Sequence, residues 1–535
     1  MVQKKLTEVS SQKVTHKAEE LAKHQREISV SEFFTRNRHL LGFDNPRKAL
    51  LMVVKEAVDN SFDACQEMQV LPQIIVEIKS VDGKEDQLIV AIEDNGPGIV
   101  REQVPRIFGK LLYGSKFGRL KQGMGAQGIG ISAAVMYAQL TTGKPAKITT
   151  IIGKGKPAHY LELHLDTQKN EPEIVKDEIV KWNKEHGTRI ELQIEGKYLK
   201  GKQSVDEYLK LISISNPHSE IIYTNPLGEK VVFARGTKQL PVEPKEIKPH
   251  PYGVELGILL KMMKATSARN LNSFLTNDFS RVSSSIAAEI SKLAGFSGDE
   301  KPSELSLQDA EKLFQAIPKV KIMAPPTNCL SPIGEEQLIE GLKKEVQAEF
   351  YAAVTRKPSV YRGFPFFVEC AVAYGGDLPG DELISVYRYA NKVPLLYQQS
   401  ACSIYKSVAE TMWRNYGLSQ SKGALPVAPL VLVVHVASVW VPFTSESKEA
   451  VAHYPEIIKE VKLALQDTGR KLNNYIRKTV KAREAAERFN LFEKYIPELA
   501  SSLAILSGEK KEKINDNLLK ILKKQTPVLL ENLNA

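Results

Sequence analysis

The chain has 535 residues, with 73 lysines and arginines against 63 acids, for a formal charge of +10. That length exceeds one hydrophobic core and implies two to four domains, and the 42% hydrophobic and 25% charged content is that of an ordinary soluble globular protein. The charge permits a polyanionic partner without demanding one, and the scattered Cys65, Cys329, Cys370 and Cys402 form neither a disulfide framework nor a zinc spacing, which fits a reducing cytosol.

Residues 1–35 are charged and helix-prone, start without the apolar core of a secretory signal, and end in the aromatic and basic strip SVSEFFTRNRHLLGF. Such an arm has little to bury against locally, so a second protomer is its expected partner. A helix opens at DNPRKALL, with Asn45 as N-cap and Pro46 as first helical residue. Within it, Glu56, Asp59, Asn60 and Asp63 stand at i, i+3, i+4 and i+7 and share a stripe, while Leu50, Val53, Val54, Ala57 and Val58 cover much of the rest. The stripe is either a solvated face or the wall of a site holding a cation and a water.

Strands are expected at QIIVEIKS, QLIVAIED, AKITTIIG, YLELHLD and TRIELQIE. The second ends in Asp94, Asn95, Gly96, Pro97 and Gly98, either a plain turn or a carboxylate delivered to a cleft by tight backbone at Gly96 and Gly98. KQGMGAQGIGIS then places Gly123, Gly125, Gly128 and Gly130 before a helix, where backbone N–H groups can close on phosphate oxygens. The loop is neither a Walker motif nor a dinucleotide fingerprint.

The α+β domain spans 36–245. The Pro- and Lys-rich VEPKEIKPHPYG leads into a helical insert, 246–325, and then an α/β domain, 326–490. LPVAPLVLVVHVASVWVPF is long enough to cross a bilayer, but its prolines, His435 and valines favour a strand buried on both faces. A basic helix from Pro455 to about Arg488 closes that domain, and 491–535 form an amphipathic helical tail.

EAVDN, DNGPG and GMGAQGIG, followed by the Gly187–Thr188 pair of EHGTRIEL, resemble in order the motifs of the GHKL ATPase family. The resemblance implies an α/β sandwich of the Bergerat type that binds ATP with Mg²⁺. Glu56 would be the general base, Asn60 the Mg²⁺ ligand, and Asp94 the acceptor for the adenine amino group, supported by Thr188 and the Gly96–Gly98 turn. The lid Gly123, Met124, Gly125, Ala126, Gln127, Gly128, Ile129 and Gly130 would wrap the phosphates. Asp59 and Asp63 stay open, the first as a brace and the second as a solvated residue.

VASVWVPFTSESKEAV puts Lys448 where gyrase-like and MutL-like members carry a transducer lysine that reaches the γ-phosphate; a lysine exposed at a helix start is the alternative. The insert looks like a helix-two-turns-helix module, and with ISVSEFFTRNRHLLGF and PFTSESKEA it makes the chain similar to the B subunits of type IIB topoisomerases. That likeness implies an A2B2 assembly with the DNA-cleaving topoisomerase VI A subunit, ATP-driven self-dimerisation through the 1–35 arm, action on double-stranded DNA, and a cytoplasmic, nucleoid-associated protein with no membrane attachment. A MutL-like ATP-dependent repair clamp is the alternative.

Overall fold

The computed structural model describes residues 17–534 apart from 26, 117, 126, 127 and 446, and the chain divides into two compact units. The first runs to Gly118 and adds Met124–Tyr208 and Glu220–Phe233; the second comprises Arg119–Gly123, Leu209–Ser219 and everything from Ala234.

In the first unit α1 (17–23) and α2 (Val30–Arg36) precede α3 (Pro46–Met68), β1 (Gln73–Val81), β2 (Lys84–Glu93), α4 (Val104–Gly109), α5 (Gly130–Thr142), β3 (Ala146–Ile151), β4 (Ala158–Asp166), β5 (Glu171–Val180), β6 (Gly187–Glu195), the start of α6 (Val205–Ser215), β7 (Glu220–Thr224) and β8 (Lys230–Phe233). The eight strands form one sheet in the order β5-β4-β3-β6-β2-β1-β7-β8, antiparallel except for β1 beside β7. Alternate residues such as Ile74, Val76 and Ile78 are fully buried, the signature of a sheet covered on one face. Helices α3 and α5 lie side by side against it, α3 over β1, β2 and β6, α5 over β3, β4 and β6. The arm, expected to find no local partner, docks its end here: Ser29 Oγ donates to the Thr167 carbonyl at 2.6 Å and buried Ser31 to Asn170 Oδ1 at 2.9 Å. Residues 1–16 lie outside the described part.

The second unit contains α7 (Leu256–Ala265), α8 (Leu271–Asp278), α9 (Ser284–Leu293) and α10 (Leu307–Ala316), which enclose a core of their own around Met263, Phe274, Ile290 and Leu313. After α11 (Glu335–Glu345) come β9 (Phe350–Thr355), β10 (Ser359–Tyr361), β11 (Phe364–Tyr374), β12 (Ser385–Ala390), β13 (Val393–Pro394), α12 (Ser403–Glu410), β14 (Ser419–Gln420), β15 (Pro426–Val427), β16 (Leu430–Ser438), α13 (Pro455–Ser507) and α14 (Lys511–Asn534). The main sheet runs β10-β11-β16-β12-β13, with β9 also on β11. Val368, Cys370, Leu432 and Val434 pack with α12 and α13, whereas Ala371, Ala373, Val431 and Val433 pack with α11. Both faces of β11 and β16 are therefore covered, which explains a valine run without alternation. Among the described residues no helix is long and apolar enough to cross a membrane.

One boundary differs from expectation. Helix α13 does not stop near Arg488 but continues to Ser507, about 80 Å of helix at 1.5 Å per residue. Ile496 and Ala500 are buried in its hairpin with α14, and that packing carries the helix through Pro497 until Gly508, at φ 71°, ends it.

Candidate active site

The site is built where α3 meets the end of β2. Asn45 Oδ1 accepts the Lys48 N–H at 2.9 Å and starts α3, whose Leu50, Val53, Val54 and Val58 are buried against the unit's core. At the end of β2 the turn is pinned by Asn95, which accepts the Gln73 N–H at 2.8 Å and donates to the Leu71 carbonyl at 3.1 Å. Gly98 has φ 71°, and a Cβ there would lie 2.1 Å from the Ile151 carbonyl oxygen, so only glycine fits.

One pocket of the first unit gathers most of the expected residues. Glu56 and Asn60 form its α3 wall, Asp94 and Gly98 come from the turn, Thr188 from β6, and Gly125, Gly128 and Gly130 from the glycine-rich segment. Ile92, Ile99, Phe108 and Ile190 supply apolar lining. Asp94 is held rigidly: Oδ1 accepts the N–H groups of Gly96 at 2.8 Å and Thr188 at 3.2 Å, and Oδ2 accepts Ser61 Oγ–H at 3.1 Å. A carboxylate offers about four acceptor positions, so Oδ2 retains one. Burial pushes the Asp94 carboxyl above the ordinary aspartate value of 3.8, against the pull of the Gly96, Ser61 and Thr188 hydrogen bonds.

Other expected residues fall elsewhere. Gly96 supports Asp94 through its backbone, and Ile129 is the buried N-cap residue of α5. Met124 is also buried, its N–H donating to Asp63 Oδ1 at 3.0 Å. Gly123 belongs to the second unit, where its carbonyl accepts Asn391 Nδ2–H at 3.2 Å. Ala126 and Gln127 lie outside the described residues. Lys448 is in the second unit and is neither exposed nor at a helix start: it is 8% exposed, has φ 53°, and sits in the loop before α13, its N–H bonded to the Ser445 carbonyl at 3.1 Å.

The acidic stripe on α3 is not a solvated face. Asp63 is buried and accepts the N–H groups of Met124 and Gly125 (2.9 Å) together with the Lys116 ammonium, so it fastens the stem of the glycine-rich segment. Asp59 accepts Tyr208 O–H at 2.7 Å and Lys55 Nζ–H at 3.0 Å, which makes it a brace. Burial works against charge on Lys55, yet Asp59 and Glu56 hold its ammonium above the ordinary lysine value of 10.5. Lys55, Lys116 and Tyr208 escaped the sequence reading. A lysine inside an apolar helix one residue before Glu56 was the signal for the first, whereas nothing local marks Tyr208, 149 residues from Asp59.

A helix wall bearing Glu and Asn, a glycine turn presenting a buried aspartate, and a rim of glycines opening a helix define an ATPase-type pocket. Residues 45–195 match the family described as "Histidine kinase-, DNA gyrase B-, and HSP90-like ATPase", and residues 325–488 match "Topoisomerase VI B subunit, transducer". The chain is 51% identical over 488 residues to the B subunit of type 2 DNA topoisomerase 6 from Methanococcoides burtonii, covering 91% of this chain and 78% of that one. Identity is 49% over 506 residues to the corresponding protein of Methanosarcina barkeri (94% and 81% covered), and 39% over 564 residues to that of Pyrococcus horikoshii (96% and 97% covered). The chain belongs to the family of type 2 DNA topoisomerase 6 B subunits.

Proposed function

We propose that the chain is the ATP-operated gate of a type IIB topoisomerase, with nucleotide turned over in the pocket on α3. Its role as the ATP-binding and hydrolysing subunit in DNA strand passage goes with its family. The observation that carries the site assignment is that Glu56 and Asn60, one helical turn apart, face the same pocket as Asp94 and three glycines.

Glu56 is the general base: it orients the attacking water and takes its proton, an effect worth about two to four orders of magnitude in rate. Asp94 selects adenine, because its remaining acceptor position on Oδ2 matches an exocyclic amino donor and its other bonds keep it from turning. Gly128 and Gly130 bring backbone to the pocket at the start of α5, where the helix dipole favours anionic oxygens, while the Gly125 N–H is taken by Asp63. The residues fit Mg²⁺ that arrives with the nucleotide. Among the described residues no group of three acidic, His or Cys side chains could hold a metal alone, while Asn60 Oδ1 lies 3.0 Å from a Cβ built on Gly125, turned towards the glycine rim. An ion that keeps its waters and binds phosphates needs only one such oxygen, and it would neutralise phosphate charge.

Lys448 is the further cation for the γ-phosphate, delivered from the transducer. The working assembly is A2B2 with a DNA-cleaving A subunit, closed by ATP-driven dimerisation in which the 1–35 arm takes part, with 246–325 as a helical module and 326–490 as transducer. Binding can drive closure only through tighter affinity for the closed state.

The test is Glu56→Ala. Hydrolysis should fall at least ~100-fold while ATP binding and ATP-dependent dimerisation persist; loss of nucleotide binding instead would reassign Glu56. Mixed with an A subunit, the parent chain should relax supercoiled DNA only with ATP and Mg²⁺.

A further inference from the structure

The buried Lys55–Asp59–Tyr208 group sits behind the proposed base and has no place in the chemistry above. Tyr208 is fully buried, and its O–H donates to Asp59 Oδ1 at 2.7 Å. Asp59, 1% exposed, receives Lys55 Nζ–H on its other oxygen at 3.0 Å. The same ammonium reaches Glu56 Oε1 at 3.3 Å. On α3, residues 55 and 59 are one turn apart and stack, whereas 55 and 56 point about 100° apart, so Lys55 must lean across the helix to touch Glu56. A lysine placed only to fill space would be replaced to advantage by an apolar side chain, since burying an ammonium is costly unless its partners compensate. Here one partner is a brace that a tyrosine holds, and the other is a carboxylate on the pocket wall.

We propose that Lys55, fixed by Asp59 and Tyr208, is a positioning residue for ATP hydrolysis: it holds Oε1 of Glu56 and so sets the orientation of the carboxylate that receives the water proton. This rests on Glu56 being the base. In that step the water oxygen bonds to the γ-phosphorus, its proton passes to Glu56, the bond from phosphorus to the bridging oxygen breaks, and ADP leaves with the electron pair. Lys55 stays protonated throughout. Its contact fixes the carboxylate plane and sets a cation beside Glu56, and Asp59, on the other side of the ammonium, anchors it there. Glu56 faces Lys55 and Asp59 on its own helix, Tyr208 from α6, Lys116 and Asp94 across the pocket, and the first turn of α5 at Gly130.

The experiment uses the full-length chain and follows phosphate release from ATP as a function of pH, with Glu56→Gln measured in parallel. Lys55→Met should lower kcat by ~10- to 100-fold with KM within about twofold, because only the orientation and ionisation of the base are lost. The acid limb of kcat should move to higher pH, since a carboxylate that loses a neighbouring cation protonates more readily. Lys55→Arg should restore both rate and limb, which a purely structural role would not require. Tyr208→Phe should shift the limb the same way by a smaller amount, and it carries the decision if Lys55→Met does not fold. Unchanged kcat and an unmoved acid limb in the folded variants, while Glu56→Gln is inactive, overturn the proposal. An active Glu56→Gln enzyme overturns instead the assignment of Glu56 on which it rests.

Discussion

Gly130 opens α5 so close to Glu56 that a Cβ on the glycine would stand 1.8 Å from Oε2 of the carboxylate. The glycine is thus required by the side chain opposite it and not by its own backbone, whose φ is not left-handed. Gly130→Ala should leave the fold intact, since alanine favours a helix by roughly 0.5–1 kcal/mol over glycine. It must push Glu56 aside, and a displacement of about 1 Å at a catalytic group costs on the order of 100-fold in rate. Steady-state hydrolysis together with a melting curve checks this: full activity in a stable Gly130→Ala chain would mean that Oε2 is not used where it stands.

Asp94 yields a pH prediction. Its carboxyl is raised above 3.8 by burial, and if Asp94 receives the adenine amino group, it does so best as the ionised, acceptor-only carboxylate. ATP affinity should therefore fall as pH drops through the Asp94 value, starting at higher pH than an ordinary aspartate would give. The effect on stability has the opposite sign. A carboxyl whose folded value is raised binds its proton more tightly in the folded state, so its stabilising contribution is present at low pH and lost as pH rises through that value. Asp94→Asn should accordingly weaken ATP at least ~10-fold while melting no lower than the parent. Equilibrium titration of ATP across pH checks the first half, and a pH-independent affinity would remove Asp94 from adenine recognition.

The residues legible in sequence are those whose local context is unusual. Glu56 and Asn60 interrupt an apolar helix, Asp94 ends a β-run in Asn-Gly-Pro-Gly, and the lid glycines crowd a helix start; all of these reach one pocket except the residues that serve through their backbone and those of the second unit. What sequence did not disclose depends on partners far along the chain. Asp63 looks solvated until Lys116 and the N–H groups of residues 124 and 125 arrive, and Tyr208 looks like any helix aromatic until it meets Asp59. Strand β5 leaves no periodic mark in the sequence because Ile174, Val175 and Ile179 are exposed at a sheet edge, so no buried face shapes its pattern. The division of the chain inside 119–123 and 209–219 has no compositional mark at all.

In the second unit Glu369 and His435 form a fully buried pair at 2.8 Å between β11 and β16. Glu369 also accepts the N–H groups of Ile333 at 3.0 Å and Gly334 at 2.8 Å, and Thr355 Oγ–H at 2.9 Å. Burial pushes its carboxyl up, but His435 and the two backbone donors outweigh it and hold the value below the ordinary 4.5. A depressed folded value means that the stability is present above about pH 4.5 and is lost as pH falls through the lower, folded value. Glu369→Gln should cost about 1.5–3 kcal/mol at neutral pH, the scale for losing a hydrogen bond to a charged group, and flatten the acid limb of stability. Urea unfolding of parent and variant at two pH values measures both, and equal pH dependence in the two would show that Glu369 is not the titrating group.

Lys448 is held in a closed loop: Thr444 N–H bonds the Ala450 carbonyl at 3.0 Å, Ala452 N–H bonds the Pro442 carbonyl at 2.8 Å, and Ala450 and Val451 are buried in the transducer core. Within it Lys448 takes φ 53°, a left-handed conformation that costs a non-glycine residue roughly 1–2 kcal/mol. Strain of that kind persists only where the surroundings enforce it, which suits a side chain that must be presented at one spot. If that spot is the γ-phosphate, Lys448→Ala should slow turnover by ~100- to 1,000-fold, as for removal of a preorganised charge from a transition state, with ATP affinity changed less than about threefold. Lys448→Gly should be as slow as Lys448→Ala yet more stable, because glycine takes positive φ without penalty. A Lys448→Ala chain that turns over ATP at the parent rate would take Lys448 out of the hydrolytic step and leave the strained loop with a purely structural role.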